Sequence, residues 1–295
     1  MKQDRMQTWL MAVLCGVSVA AFAAEPKSVT VDATQKGEPI SPLIYGQFIE
    51  HLGRCIYGGI WAEMLEDRKF FYAVGTQESP WKAAGNCAYR MTTDNPFVNE
   101  RTPEIAVTDA EGGLVQGGLA VAKGKSYTGR IWLSGEKLAA PVEVRLVWGA
   151  TPNARQTVRI NKLSPQFAKF PLSFTAGASN QDARLEIVGL GRGRFRIGAV
   201  SLMPADNVKG MRRDVLALLR ELDSPIYRWP GGNFVSGYDW RDGIGDPDRR
   251  PTRKNPAWKG IEPNDFGMHE YIAFCREIGA EPLITVNTGF GDAYS

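Results

Sequence analysis

The chain has 295 residues, of which 43% are hydrophobic and 23% are charged. A chain of this length buries a sizeable core and exceeds the usual size of one compact domain, so two domains are expected. The net charge of +3 is a mild basic excess. This charge does not favour nucleic acid or an anionic membrane surface as the natural partner, and it is compatible with a neutral ligand.

The N-terminus has the pattern of an export signal. Lys2 and Arg5 precede an apolar run from Thr8 to Ala20, and Ala21-Phe22-Ala23 is a small-x-small cleavage site. The run is shorter than the roughly 20 apolar residues that span a bilayer, which disfavours the alternative of a membrane anchor. We therefore expect a signal peptide over residues 1–23, a secreted or periplasmic product, and no membrane association once the signal is removed.

The residues from 27 to 80 have the pattern of a β-to-α passage. A short strand is predicted at Val29–Val31 and a second at Leu43–Ile49, and a turn-rich segment then leads into Ile60–Leu65. We interpret residues 27–80 as the start of an α/β domain.

The residues from 81 to 204 have a different pattern of apolar and polar residues. Short runs of alternating or β-branched residues are separated by turns, which is typical of a β-sandwich. The predicted strands are Gly118–Val121, Tyr127–Leu133, Val142–Trp148, Gln156–Ile160, Phe170–Phe174, Ala183–Val188 and Phe195–Leu202.

The residues from 205 to 295 return to a helical period. A helix starting near Asn207 is predicted, and the apolar positions on its inner face are Met211, Val215, Leu218, Leu219 and Leu222. It is followed by a strand at Pro225–Trp229, a helix at Asp265–Ile278 and a buried strand at Pro282–Val286. The fold class is therefore α/β with a parallel sheet, interrupted by an all-β insertion.

Two strand ends carry polar side chains. Glu50 and His51 follow the first α/β strand, at the sheet edge where such folds build their sites. Glu50 is the stronger candidate, with an ion pair to Arg54 as the structural alternative. His51 is more often a hydrogen-bonded structural residue.

The second strand end is Arg228-Trp229-Pro230-Gly231-Gly232-Asn233. Arg228 offers fixed donors and Asn233 offers both a donor and an acceptor, which suits sugar hydroxyls. An ordinary turn with the arginine in an ion pair is the alternative. Val286–Gly289, at the end of the next strand, is a weak signal on its own.

A long loop joins Tyr238 to Trp258. Its aromatic and acidic residues suit the wall of a sugar-binding cleft, and long loops are usually functional: Trp240, Asp242, Asp246 and Trp258. The basic run Arg249–Lys254 is interpreted as a solvated part of this loop rather than as a nucleic-acid patch.

The sequence lacks the residues that other classes of hydrolase and nucleotide-binding proteins need. The chain has only two histidines, and His269-Glu270 has no second histidine four residues on, so a zinc hydrolase is disfavoured. Serine hydrolase and phosphate-binding motifs are missing from the sequence. Cys55, Cys87 and Cys275 fit no disulfide framework or zinc pattern. We expect no cofactor and no metal.

Several motifs in chain order resemble glycoside hydrolase family 51, the α-L-arabinofuranosidases. They are Ser41–Trp61, Arg228–Asn233, Tyr238–Gly245, Asn264–Gly267 and Ile278–Pro282. The resemblance implies a (β/α)₈ barrel, and the all-β insertion is similar to a carbohydrate-binding jelly roll. It also implies retaining hydrolysis of terminal non-reducing arabinofuranose in arabinan or arabinoxylan, in L-arabinose metabolism, and a possible homo-oligomer.

The resemblance also assigns roles to residues. It implies that Glu50, Arg228 and Asn233 hold the sugar hydroxyls and that Trp258 lines the pocket. The general acid/base and the nucleophile would follow the fourth and seventh barrel strands. Only three α/β strands are predicted before Ser295, so both carboxylates are expected beyond it and this chain is expected to be inactive alone.

Two other functions remain open on the sequence. One is a carbohydrate-binding protein that acts through residues 81–204, and the other is a different barrel glycosidase, such as a xylosidase or an endoglucanase. Continuation of the reading frame past Ser295 into further β/α units favours an enzyme over a binding protein, and hydrolysis of an aryl arabinofuranoside against an aryl xyloside by the complete protein separates the glycosidases.

Overall fold

The computed structural model describes residues 28–108 and 110–290. The chain divides into two units, Met1–Ile40 and Ser41–Ser295. The predicted signal peptide lies outside the described residues. Within the described residues, no helix is long and apolar enough to cross a membrane.

The strand predicted at Val29–Val31 is wrong. Residues 28–40 contain no helix or strand, and Val29 and Val31 are 87% and 85% exposed. A strand is stabilised by ladder pairing and by burying one face, and this segment has neither.

The described part of the second unit is dominated by strands. In chain order they are β1 (Gln47–Phe48), β2 (Lys82–Gly85), β3 (Ala88–Thr92), β4 (Thr102–Val107), β5 (Gly112–Val121), β6 (Ser126–Gly135), β7 (Val142–Val147), β8 (Arg155–Ile160), β9 (Ala168–Thr175), β10 (Asn180–Gly189), β11 (Gly193–Pro204), β12 (Ile226–Trp229), β13 (Arg253–Lys254), β14 (Ile261–Glu262) and β15 (Glu281–Ile284). The α-helices are α1 (Arg213–Leu222) and α2 (Met268–Ile278), and the 3₁₀ helices are Pro42–Tyr45, Lys137–Ala139, Phe234–Gly237 and Trp240–Gly243.

The parallel sheet has the order β1-β12-β15. Its covered face packs on α2: the rings of Trp229 and Tyr271 lie 5.1 Å apart, and those of Tyr227 and Phe274 lie 5.4 Å apart. The predicted alternation β12, α2, β15 is therefore confirmed, with α1 before it. The prediction that the last strand is buried is wrong, because β15 is an edge strand of the described sheet and its Leu283 and Ile284 are 47% and 40% exposed.

The β-to-α passage predicted after β1 is wrong, because residues 49–81 form turns and isolated bridges. Their backbone groups bond elsewhere: the Ala62 N–H donates to the carbonyl of Gly210, and the Met64 N–H donates to that of Leu202. These bonds replace the local i to i−4 pattern of a helix. The strand predicted at Leu43–Ile49 is also shorter, because a 3₁₀ helix takes up its first part.

Two five-stranded antiparallel sheets form a β-sandwich. Their orders are β2-β5-β10-β7-β8 and β3-β4-β11-β6-β9, and residues of both sheets contribute to one continuous apolar core. Each of the seven strands predicted in this region overlaps an observed strand. The strands β2, β3 and β4 were not predicted, because β2 and β3 are largely exposed and β4 is nearly all buried, so they lack the alternation used to find strands.

Both helices start later than predicted. In α1, Leu216 is fully buried while Leu218 and Leu222 are 64% and 55% exposed, so the predicted inner face is only partly correct. Helix α2 starts at Met268, because the Gly267 N–H is capped by the Glu270 carboxylate and Asp265 is held in an ion pair with Arg68.

Candidate functional site

The candidate site lies where β1 and β12 end. Phe48, Arg228 and Leu283 are register partners across the three parallel strands. Residues paired across parallel strands point to the same face of the sheet, so Arg228 lies between two apolar neighbours. Phe48 and Leu283 are 58% and 47% exposed, which makes this the open face of the sheet.

Glu50 is buried at the tip of β1. Its Oε1 accepts hydrogen bonds from the Phe234 N–H at 2.9 Å and from the Trp258 indole N–H at 3.1 Å. The alternative ion pair with Arg54 is not formed, and no cation of the described residues lies within 4 Å of this carboxylate. Among the described residues no hydrogen bond reaches Glu50 Oε2, so this oxygen is available to a ligand hydroxyl.

Gly231 provides the space for Glu50. Its φ is +116°, and a Cβ at this position would lie 2.2 Å from Glu50 Cγ. Only glycine combines that backbone conformation with so close an approach. The first glycine of the Pro-Gly-Gly turn is therefore required by the position of the carboxylate.

Arg228 is half-buried and has no ion-pair partner among the described residues. Its Nε is buried without a hydrogen bond, and its guanidinium carbon lies 5.2 Å from the centre of the Phe48 ring. The interpretation of this arginine as part of an ion pair is therefore wrong. A buried donor without a partner is rare, and it leaves this guanidinium able to donate to a ligand.

Asn233 and Trp258 complete the group of predicted residues. Asn233 is exposed before the 3₁₀ helix Phe234–Gly237, and its side chain makes no capping hydrogen bond. Trp258 is half-buried, with its ring nitrogen on Glu50. The fold thus brings the two strand ends and the loop tryptophan together.

His51 has a structural role beside this group. Its Nε2 accepts the Trp229 indole N–H at 3.0 Å, so we assign the ring proton to Nδ1. Nδ1 lies 2.7 Å from Glu262 Oε2, but the two groups are not aligned for a hydrogen bond. The imidazole also stacks on Phe234 at 4.4 Å.

Two further buried carboxylates are already engaged. Glu262 accepts the Tyr57 hydroxyl and the Asn264 N–H, and burial together with this carboxylate raises the pKa of Tyr57 well above its usual value. Glu63 accepts the Ser201 hydroxyl at 2.6 Å and the Leu202 N–H at 2.9 Å, and burial raises its pKa. Both oxygens of Glu63 accept hydrogen bonds, whereas Glu262 Oε2 is buried against His51 Nδ1 without an aligned hydrogen bond.

The loop from 238 to 265 is anchored by a buried ionic network that the sequence did not reveal. Arg68 donates to Asp265 at 2.6 Å and to Asp248 at 2.8 Å, and Arg130 on β6 donates to Asp248 at 2.7 Å. Burial alone would raise the pKa of Asp248, but the hydrogen bond from Arg130 and the charge of Arg68 hold that pKa well below its usual range. The network ties the loop to the sandwich.

The prediction that Arg249–Lys254 is a solvated run is partly wrong. Arg250 is buried and pairs with Glu270 at 2.9 Å, while Arg249 lies over the Phe97 ring at 3.7 Å. Arg253 and Lys254 are exposed, as predicted. The mixture of buried and exposed arginines is consistent with a structural role for the run.

A cavity of about 1260 Å³ lies elsewhere. It is lined by sandwich residues 118–122 together with residues near Arg54, Glu63 and Arg213. None of the four predicted binding residues lines it. We place the candidate site at the strand ends because uncommitted polar groups converge there, which volume alone does not provide.

The described residues contain no group of three or more potential metal ligands of the His, Cys, Asp and Glu types. Cys55, Cys87 and Cys275 are free thiols. Sequence reasoning also missed Asn255, whose side chain bonds to the carbonyl of His51 at 2.9 Å. The Asn255-Pro256 pair is a turn signal that marks its position but not this contact.

Comparison with known proteins gives consistent results. The family model described as alpha-L-arabinofuranosidase 1 domain matches residues 218–294. An intracellular exo-α-(1→5)-L-arabinofuranosidase of Streptomyces lividans is 46% identical over 131 residues, covering 41% of this chain and 19% of the relative. An extracellular exo-α-L-arabinofuranosidase of Streptomyces chartreusis is 27% identical over 290 residues, covering 88% of this chain and 34% of the relative.

A solved structure shares the fold. The arabinose-bound MgGH51 α-L-arabinofuranosidase superposes with a TM-score of 0.73 at 20% identity, covering 84% of this chain and 44% of that one. The chain therefore spans less than half the length of each of these three proteins. The chain is thus similar to glycoside hydrolases. More narrowly, the relatives and the family model that it matches are α-L-arabinofuranosidases, and its fold is that of a GH51 α-L-arabinofuranosidase.

Proposed function

We propose that this chain supplies the sugar-holding part of a retaining α-L-arabinofuranosidase site. The substrate is a terminal non-reducing arabinofuranosyl residue of arabinan or arabinoxylan. The observation that carries the proposal is that three polar groups without a hydrogen bond among the described residues follow the ends of β1 and β12, namely Glu50 Oε2, Arg228 Nε and the Asn233 amide, and that the Trp258 ring is bonded to Glu50.

Each group has a chemical task in this proposal. A carboxylate oxygen accepts a hydroxyl proton, a guanidinium donates to hydroxyl oxygens, and an amide does both. Trp258 provides an apolar wall against which the carbon face of a furanose ring packs. Because Glu50 Oε1 is held by Phe234 and Trp258, its free oxygen has a fixed position before the sugar binds.

The two carboxylates of the reaction belong, in this proposal, to strands other than β1, β12 and β15. A retaining mechanism needs an acid/base and a nucleophile about 5–5.5 Å apart. Glu50 is engaged on one side by Trp258, while Glu63 and Glu262 are committed to structural contacts. Completion of a (β/α)₈ barrel would cover the open face of Phe48 and Leu283 and would bring the missing carboxylates to the same edge.

Further features of the protein are part of the same proposal. Residues 1–23 serve as an export signal, so the product is secreted or periplasmic. The sandwich at 81–204 is a jelly-roll module that contacts carbohydrate, and the protein assembles as a homo-oligomer.

The test is hydrolysis by the full-length protein of an aryl α-L-arabinofuranoside against the matched aryl β-D-xyloside. Preference for the arabinofuranoside, with retention at the anomeric carbon, is the expected result. Equal or greater activity on the xyloside would overturn the substrate assignment. Inversion of configuration would overturn the mechanism.

A further inference from the structure

Asn255 connects the loop that carries Trp258 to the end of β1. Its Nδ2 donates to the carbonyl oxygen of His51 at 2.9 Å. Its Oδ1 accepts the N–H of Ala257 at 3.1 Å and the N–H of Trp258 at 2.8 Å. Asparagine is suited to this place because its amide both donates and accepts.

Each end of this connection makes further contacts. On the β1 side, His51 is held through its ring by Trp229 and stacks on Phe234. On the loop side, the backbone of Trp258 is held by Asn255, and the Asn255 N–H donates to the carbonyl of Gly260 at 3.1 Å. The connection is therefore a cross-link between two fixed elements.

The cross-link sets a distance in the candidate site. Trp258 reaches Glu50 Oε1 through its indole N–H at 3.1 Å, and Glu50 directly precedes His51 in the chain. Asn255 bonds to the backbone of both His51 and Trp258, so it fixes the tryptophan relative to the carboxylate without its own side chain bonding to Glu50.

We propose that Asn255 is a positioning residue that holds Trp258 against Glu50 and thereby sets the width of the sugar pocket. This inference rests on the proposed function of the site. A loosened Trp258 weakens the ground state and the transition state alike, because the reacting carboxylates are not displaced. The effect is therefore expected on KM rather than on kcat.

The Asn255→Asp variant separates the cross-link from the local turn. Aspartate keeps both acceptor bonds, to Ala257 and Trp258, but it cannot donate to the His51 carbonyl. In the full-length protein we expect Asn255→Asp to raise KM on an aryl α-L-arabinofuranoside by about 10-fold, with kcat changed by less than about 2-fold. Asn255→Ala should give at least the same increase.

Asn207 offers a matched control. It is likewise half-buried, donates to the carbonyl of Pro204 at 2.7 Å and accepts the Gly210 N–H at 2.8 Å, away from the candidate site. Asn207→Asp should leave KM unchanged. Equal KM shifts in both variants would reduce Asn255 to an ordinary structural residue, and a wild-type KM in Asn255→Asp would show that only the local turn matters.

A crystal structure of the Asn255→Asp protein gives a readout that does not depend on activity. The expected result is a Trp258 Nε1 to Glu50 Oε1 separation beyond about 3.5 Å, outside hydrogen-bond range. An unchanged separation overturns the positioning role even if the wild-type enzyme is active. Lack of wild-type activity on arabinofuranosides, with the separation increased, would instead count against the proposed function.

Discussion

Glu50 and Trp258 are 208 residues apart in the chain and are joined by a hydrogen bond of 3.1 Å from the indole N–H to the carboxylate Oε1. One oxygen of Glu50 is thereby fixed, and the other remains available. A fixed carboxylate with one open oxygen can accept a hydrogen bond from a ligand hydroxyl at a defined position.

The first prediction concerns the two adjacent glycines after β12. Gly231→Ala places a methyl group where Glu50 Cγ lies and forces alanine to a φ of +116°, so we expect kcat/KM to fall on the order of 100-fold through displacement of the carboxylate. Gly232→Ala is the control, since no atom lies within 4 Å of its added Cβ. Similar kinetics for the two variants would contradict the role given to Gly231.

The second prediction concerns Arg228, whose guanidinium has no carboxylate partner among the described residues. Arg228→Met should change the free energy of unfolding by less than about 1 kcal/mol, since no ion pair is broken. Loss of its hydrogen bonds to the sugar should lower kcat/KM on the order of 10- to 100-fold. Arg276→Met, an exposed arginine on α2, serves as the kinetic control. A large loss of stability without a kinetic effect would show that Arg228 is structural.

The third prediction concerns stability. Arg68→Met removes the buried arginine that forms ion pairs with both Asp248 and Asp265. We therefore expect a loss of about 3–5 kcal/mol in the free energy of unfolding. Arg212→Met removes an equally short but largely exposed pair with Asp214, so its cost should stay below about 1 kcal/mol. Urea unfolding measures both. Equal costs would mean that the buried network adds little to stability.

The fourth prediction concerns pH. The pKa of Asp248 is depressed in the folded protein, so its contribution to stability is present above the unfolded pKa of about 3.9 and is lost as the pH falls towards the folded pKa. Between about pH 5 and pH 3, the wild-type protein should lose stability more steeply than Asp248→Asn. Urea unfolding at several pH values tests this, and parallel curves would contradict it.

The sequence predicts those parts of the fold that follow from local periodicity. The β-branched strands of the sandwich and the apolar strand Ile226–Trp229 are found because their patterns are regular. The segment after β1 fails, because its Ile60–Leu65 run is bound by Leu202 and Gly210, which lie far away in sequence. Tertiary hydrogen bonds of that kind leave no local pattern.

In the candidate site, too, some residues are predictable from local sequence patterns and others are not. Glu50 and Arg228 are predictable because they lie at or just beyond the carboxyl end of a strand, where parallel sheets collect polar side chains. The burial of Arg68 and Arg250 is not predictable, because a charged residue is expected at the surface unless its partner is known. Their partners, Asp265 and Glu270, lie far along the chain or on the next helix.

In the proposed function, Glu50 and Arg228 hold an arabinofuranose at the ends of β1 and β12. A crystal structure of the full-length protein with bound L-arabinose is the decisive experiment. We expect a sugar hydroxyl within about 3.2 Å of Glu50 Oε2, a second hydroxyl on the Arg228 guanidinium and the sugar ring against Trp258. A sugar bound in the cavity of about 1260 Å³, with Glu50 and Arg228 unoccupied, would contradict it.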